Sequence, residues 1–167
     1  LCTMLQQARA RENQDLFWLL SRATDEDGKG YTDQEIVDHS NFLMMAAHDT
    51  TTSALTSMTY ALAKNPEWQE RLWSEVESLG VETLSSNDLS KMVETGWVMK
   101  EALRLYPPLS TLPKFSNKPF EFDGHMVPAK ALVVTYPIHT HHSKDYWASP
   151  KTFDPLLFSD EPKQCMR

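Results

Sequence analysis

An acid and an alcohol, Asp49 and Thr50, stand side by side in a stretch that is otherwise apolar or small. Ile36, Val37, Phe42, Leu43, Met44 and Met45 precede them, and Leu55, Met58 and Leu62 follow at helical spacing. Asp and the run Thr50-Thr51-Thr52 are mediocre helix formers, and burying them is costly unless each finds a partner. A carboxylate beside a hydroxyl can hold and pass protons. Ala46 and Ala47, one helical turn before the hydroxyls, leave room for a flat ligand to approach the backbone. The bland alternative is a helix break, with Asp49 capping a second helix.

Two further groupings could do work. Glu101 and Arg104 lie three apart on one helix face, among Val98, Leu103 and Leu105, and the double proline Pro107-Pro108 follows at once. A surface ion pair at this spacing would contribute little. The third grouping is Phe153-Asp154-Pro155-Leu156-Leu157-Phe158, which by itself is an aromatic-rich loop. Two others fail on inspection. In Asp25-Glu26-Asp27-Gly28-Lys29-Gly30 a calcium loop would require a Glu where Ile36 stands, so a solvated turn is expected. After His139-Thr140-His141-His142 a metallo-hydrolase would continue with Asp and His; Ser143 and Lys144 stand there, so exposed loop histidines are expected.

The elements that must position these residues follow from punctuation. Of 10 prolines, only Pro66 precedes residue 107, which predicts a helical part over 1–106 and a strand- and loop-rich part over 107–167 of a single partial domain. A helix is expected over about 3–22. Thr32 with Glu35 forms a capping box opening a helix over about 33–63, on the order of 45 Å long. Asn65-Pro66-Glu67 opens the next, with its stripe Trp68, Leu72, Val76 and Leu79 ending at Gly80. Asp88 or Ser90 starts another, which the double proline stops. Phe120 to Met126 reads as a hairpin turning on Asp123-Gly124, and Ala131 to Tyr136 as a buried strand.

Composition narrows the partners. A net charge of -7 with no basic stripe argues against nucleic acid. No charge-free apolar run reaches the roughly eighteen residues that a membrane span needs. No signal peptide is visible, and an anchor preceding Leu1 would not be observable. Cys2 and Cys165 are too few for a disulfide framework and suit a reducing compartment, so a cytoplasmic setting is expected.

Taken in order, the three groupings resemble the cytochrome P450 monooxygenases. Ala46 to Thr51 is similar to the family's oxygen-binding helix, Glu101-x-x-Arg104 to the Glu-x-x-Arg of its proximal helix, and Phe153 to Phe158 to its Phe-x-Pro-Glu-Arg-Phe motif. Leu62 to Gln69 and Gly124 to Val134 match as well, so the resemblance runs from about residue 12 to residue 160. It implies a partial fold of that family, mainly α with a small β-sheet, and an internal fragment of a longer chain. There are departures. Ala47 replaces a glycine, and Leu156-Leu157 replaces Glu-Arg, which removes the arginine that completes a buried triad with the Glu-x-x-Arg pair. The cysteine-bearing haem loop is absent, and Cys165 lacks its Phe and Gly framework and is not assigned as the iron ligand.

The resemblance implies a haem b enzyme whose thiolate-held iron activates dioxygen to hydroxylate an apolar small molecule. NAD(P)H would supply electrons through a ferredoxin or a flavoprotein reductase. Asp49 would relay protons, Thr50 would hydrogen-bond the bound oxygen, and Ala46 and Ala47 would let it lie against the helix. Lys114 would pair with a haem propionate, and Met45, Ser110 and Thr111 would face substrate. Glu101 and Arg104 are structural. The alternative is a truncated or decayed relative that binds no haem.

Overall fold

The computed structural model describes residues 15–159 together with Leu5, Gln7 and Ala10. Cys2, Cys165 and most of the expected helix before Asp15 lie outside the described residues. Among the described residues there are two compact units, Leu1–Thr51 and Thr52–Arg167, with the boundary inside a continuous helix.

In the first unit the helix expected over 3–22 is interrupted. Asp15 is extended at φ -80 and ψ 168, and its carboxylate accepts from the Trp18 amide, so it caps a new helix, α1 (Leu16–Arg22). A cap outcompetes continuation because an Asp side chain satisfies an amide that otherwise has no partner. The acidic turn is closed on itself: Asp25 Oδ1 accepts from the amides of Asp27 at 3.1 Å and Lys29 at 2.9 Å. Thr32 opens α2 (Asp33–Lys64) as a reciprocal box. Its amide donates to Glu35 Oε2 at 2.7 Å, and the Glu35 amide donates to Thr32 Oγ1 at 3.3 Å. Ile36 and Ser40 are buried, and the Ser40 hydroxyl donates to the Ile36 carbonyl. The polar run at 49–52 does not break the helix.

The second unit is built on two helices, α3 (Pro66–Ser78) and α4 (Val93–Leu105). Pro66 sits in the first turn of α3, while Asn65 turns its amide group back to the Ala61 carbonyl instead of capping forward. Neither Asp88 nor Ser90 begins α4. Asp88 heads a short 3₁₀ turn (Leu89–Lys91), and α4 begins at Val93. Its cap comes from α3: the Glu75 carboxylate accepts from the amides of Glu94 at 2.6 Å and Thr95 at 2.9 Å, and from the Thr95 hydroxyl. Arg71 of α3 also grips Glu94, through Nε at 2.8 Å and Nη2. Trp68, Val98, Ala102 and Leu105 form the buried apolar core, joined by Ala61.

Two antiparallel two-stranded ladders follow. β1 (Leu112–Phe115) pairs with β4 (Leu132–Thr135), and β2 (Phe120–Phe122) with β3 (His125–Val127). The hairpin turns on Asp123 and Gly124, both at positive φ (48 and 76), as a type I′ turn demands. Contrary to the expectation of a buried strand over 131–136, β4 is exposed from Leu132 to Thr135. Helix α5 (Pro137–His141) and a 3₁₀ turn (Pro155–Phe158) then pack against α4. No helix of the described residues is long and apolar enough to cross a membrane.

Asp88 accepts from the Ser85 amide and hydroxyl and from Lys91 Nζ at 2.8 Å. The Lys91 ammonium and the Ser85 donors hold its carboxyl well below the usual carboxylate range, and Arg71 lowers Glu94 in the same direction. Groups with lowered folded-state values contribute stability above their unfolded values and lose it as pH falls towards the folded ones. Amide exchange at the start of α4 should therefore quicken on acidification below about pH 4, the ordinary carboxylate range. In Asp88→Asn that acid dependence should weaken while the share due to Glu94 remains; an unchanged profile would mean Asp88 does not contribute to this connection.

Candidate functional site

The described chain presents two clusters, which have different jobs. The first lies on α2. Residues 42–47 carry no charge, and Phe42, Met44 and Met45 are among the most exposed large apolar side chains of the protein. Ala46 and Ala47 are exposed as well. Thr50 Oγ1 donates to the Ala46 carbonyl at 2.7 Å. Its proton is thus committed to the backbone, and its lone pairs remain free to accept. Asp49 is hydrogen-bonded to His48 Nδ1 at 2.9 Å, with both side chains largely in solvent. The helix-break alternative is excluded, because α2 runs unbroken through both residues.

The second cluster is the pair on α4. Glu101 and Arg104 are 0% and 2% exposed at the side chain. Arg104 Nε donates to Glu101 Oε2 at 2.6 Å, and Nη2 to Oε1 at 2.8 Å, a bidentate fork. Nη1 donates to the carbonyls of His141 at 2.8 Å and Pro150 at 2.7 Å, and Nη2 also to that of Thr152 at 3.1 Å. Every guanidinium N–H is thereby placed. Glu101 Oε1 accepts further from the Asp154 amide at 2.9 Å, and the guanidinium lies 4.8 Å from the Trp147 ring centroid. The pair therefore ties α4 to the segment 141–154 through main-chain groups.

This changes the meaning of Leu156-Leu157. The missing arginine would have donated to Glu101, whose Oε1 accepts from the Asp154 amide instead, and Arg104 is satisfied separately by backbone carbonyls. Leu157 is half-buried in the 3₁₀ turn beside α4. Leu157→Arg should lower thermal stability by about 1 kcal/mol, since a second guanidinium meets a carboxylate already engaged and displaces apolar contact. Melting of wild type and variant side by side checks this; a rise in melting temperature would mean that Glu101 still has room for a second cation.

The other expected site residues are placed without being gathered. Ser110 and Thr111 are exposed in the connection from α4 to β1, and Lys114 is exposed on β1 opposite Val133. Met45 is exposed on α2. The histidines expected in an exposed loop are instead in and just after α5, with His141 and His142 half-buried. His142 Nε2 meets the Leu105 carbonyl at 3.1 Å, at the end of α4. Among the described residues no group of three His, Cys, Asp or Glu side chains could hold a metal ion. Sequence reasoning missed Glu75, Trp147 and the carbonyl acceptors of the Arg104 cage. Main-chain groups leave no trace in residue type, though a tryptophan shortly before the aromatic loop was visible.

An uninterrupted helix bearing an acid–alcohol pair and, separately, a buried Glu-x-x-Arg pair that clamps a later loop are two features that resemble the cytochrome P450 family. Comparison with known proteins agrees: the family profile described as Cytochrome P450 matches residues 3–167. The chain belongs to the cytochrome P450 family. It is 41% identical over 164 residues to Cytochrome P450 4A2 of Rattus norvegicus, covering 95% of this chain and 32% of that protein. It is 33% identical over 161 residues to Cytochrome P450 4F2 of Homo sapiens, covering 93% of this chain and 31% of that one. A solved structure, retinoic acid bound cyanobacterial CYP120A1, matches with a TM-score of 0.86 at 27% identity, over 96% of this chain and 37% of its own. The chain thus spans about a third of the length of the curated relatives it matches.

The residues present suit the family's haem as far as the chain reaches. A charge-free, exposed stretch of α2 with two methyl-sized side chains suits the flat face of a porphyrin, and the lone pairs of Thr50 suit an acceptor at the oxygen side.

Proposed function

We propose that the whole protein is a haem-dependent monooxygenase that inserts one atom of dioxygen into an apolar organic substrate. The observation that carries this reading is the state of α2 at Ala46 to Thr50, where a hydroxyl is held by the Ala46 carbonyl beside an adjacent carboxylate. When bound, haem b would supply dioxygen activation at an iron held by a thiolate. The work left to this chain is positioning and proton supply. Ala46 and Ala47 keep the helix face shallow. Thr50 Oγ1, its own proton spent on the backbone, would offer an acceptor that holds a proton at the oxygen side. Asp49 collects protons from solvent. Lys114 offers a cation to a haem propionate, while Met45, Ser110 and Thr111 shape the substrate side. Glu101 and Arg104 act at a distance from chemistry by keeping α4 and the 141–154 segment together.

Electrons are proposed to come from NAD(P)H through a ferredoxin or a flavoprotein reductase, and the setting is proposed to be cytoplasmic. The test uses the whole haem-loaded protein with a reductase system, an apolar substrate and isotopically labelled dioxygen. One labelled atom should appear in the product. Label arriving from water, or a whole protein that takes up no haem, would overturn the reading and favour a relative without catalysis.

A further inference from the structure

We propose that His48 is a positioning residue for proton delivery, holding the Asp49 carboxylate in one orientation; this deepens the functional reading above and rests on it. Neighbouring residues on a helix project about 100° apart and do not normally meet. Here they do, with Nδ1 of His48 2.9 Å from Oδ1 of Asp49. An ionised carboxylate can only accept, so Nδ1 carries the hydrogen of this bond. Within four positions on either side of Asp49, the sequence Met45-Ala46-Ala47-His48 and Thr50-Thr51-Thr52-Ser53 offers no other ionisable side chain. Among the described residues no ion pair or hydrogen bond from another element is recorded at either member.

The consequence is geometric. A carboxylate that is 84% exposed and unpinned would divide its time among several rotamers. One hydrogen bond of ordinary net strength shifts such a population by about fivefold. His48 therefore decides how often Asp49 holds this one orientation, and so how much of the reductant ends in product instead of peroxide.

The experiment compares four forms of the whole haem-loaded protein: His48→Phe, His48→Asn, Asp49→Asn and the double variant His48→Phe with Asp49→Asn. His48→Phe keeps a ring and loses the donor; His48→Asn keeps an N–H donor near the Nδ1 position. Product formed per reductant consumed should fall about fivefold in His48→Phe and recover largely in His48→Asn. The double variant should be no worse than Asp49→Asn alone, because both changes break one linkage. A second readout does not depend on turnover: the nitrogen-15 spectrum of His48 in the haem-free protein should show the Nδ1–H tautomer, and Asp49→Asn should shift it. If Asp49→Asn uncouples but His48→Phe does not, or if His48→Asn is as impaired as His48→Phe, this inference falls while the role of Asp49 stands. If Asp49→Asn is fully coupled, the underlying proton-delivery reading falls.

Discussion

Glu101→Ala in the whole protein is expected to give mostly insoluble product and a soluble remainder poor in haem. The reason is what the change leaves behind. Arg104 is 3% exposed, and two of its donors, Nε and one hydrogen of Nη2, end on the Glu101 carboxylate. Removing that carboxylate strands a buried cation and also frees the Asp154 amide that Oε1 accepts. Breaking one side of a buried pair typically costs about 3–5 kcal/mol, against a total stability of about 5–15 kcal/mol for a domain. Glu101→Gln separates charge from shape. It keeps the volume but turns an NH₂ group towards donors, so it should fall between wild type and alanine. Soluble yield, haem absorbance and melting temperature of the three proteins provide the check. An alanine variant within about 1 kcal/mol of wild type would mean that the carbonyl cage alone holds Arg104.

Thr50→Ala should leave folding intact and divert turnover. The hydroxyl donates only to the Ala46 carbonyl within its own helix, and alanine is the better helix former, so α2 should lose no stability. On the proposed function, what disappears is the acceptor that holds a proton at the oxygen side. Positioned acid–base groups typically contribute about 10²–10⁴-fold, so product formation should fall by about tenfold or more while reductant consumption continues and peroxide accumulates. Asp49→Asn, which keeps the shape of the side chain, should slow turnover and raise the solvent isotope effect. Stoichiometry of reductant, peroxide and product decides it. Normal coupling in both variants would show that neither residue handles protons.

Much of the local structure was legible because it is governed by neighbours in sequence. The Thr32–Glu35 box marks the start of α2 by reciprocal bonds within four residues, and Pro107 ends α4 because it lacks an N–H and clashes with the preceding turn. Asp123-Gly124 turns the hairpin because both positions need positive φ. The Glu101–Arg104 pair followed from helical spacing, and the acid–alcohol pair from its apolar setting.

Other features depended on groups far away along the chain. The start of α4 lies at Val93 because Glu75, on another helix, presents a carboxylate to its first amides, a cap that no residue beside Val93 announces. Arg104 is satisfied by carbonyls of His141, Pro150 and Thr152, and a carbonyl is the same on every residue type, so only folding could bring those particular ones to the guanidinium. Burial of the 131–136 strand was read from its apolar run, yet residue type states a preference for cover, and only packing decides whether cover is present. The chain by itself therefore determined most of its helices, its turns and the side-chain pairs that α2 and α4 carry. Tertiary structure decided how charge is satisfied and which apolar faces are closed, because both depend on partners that sequence distance does not encode.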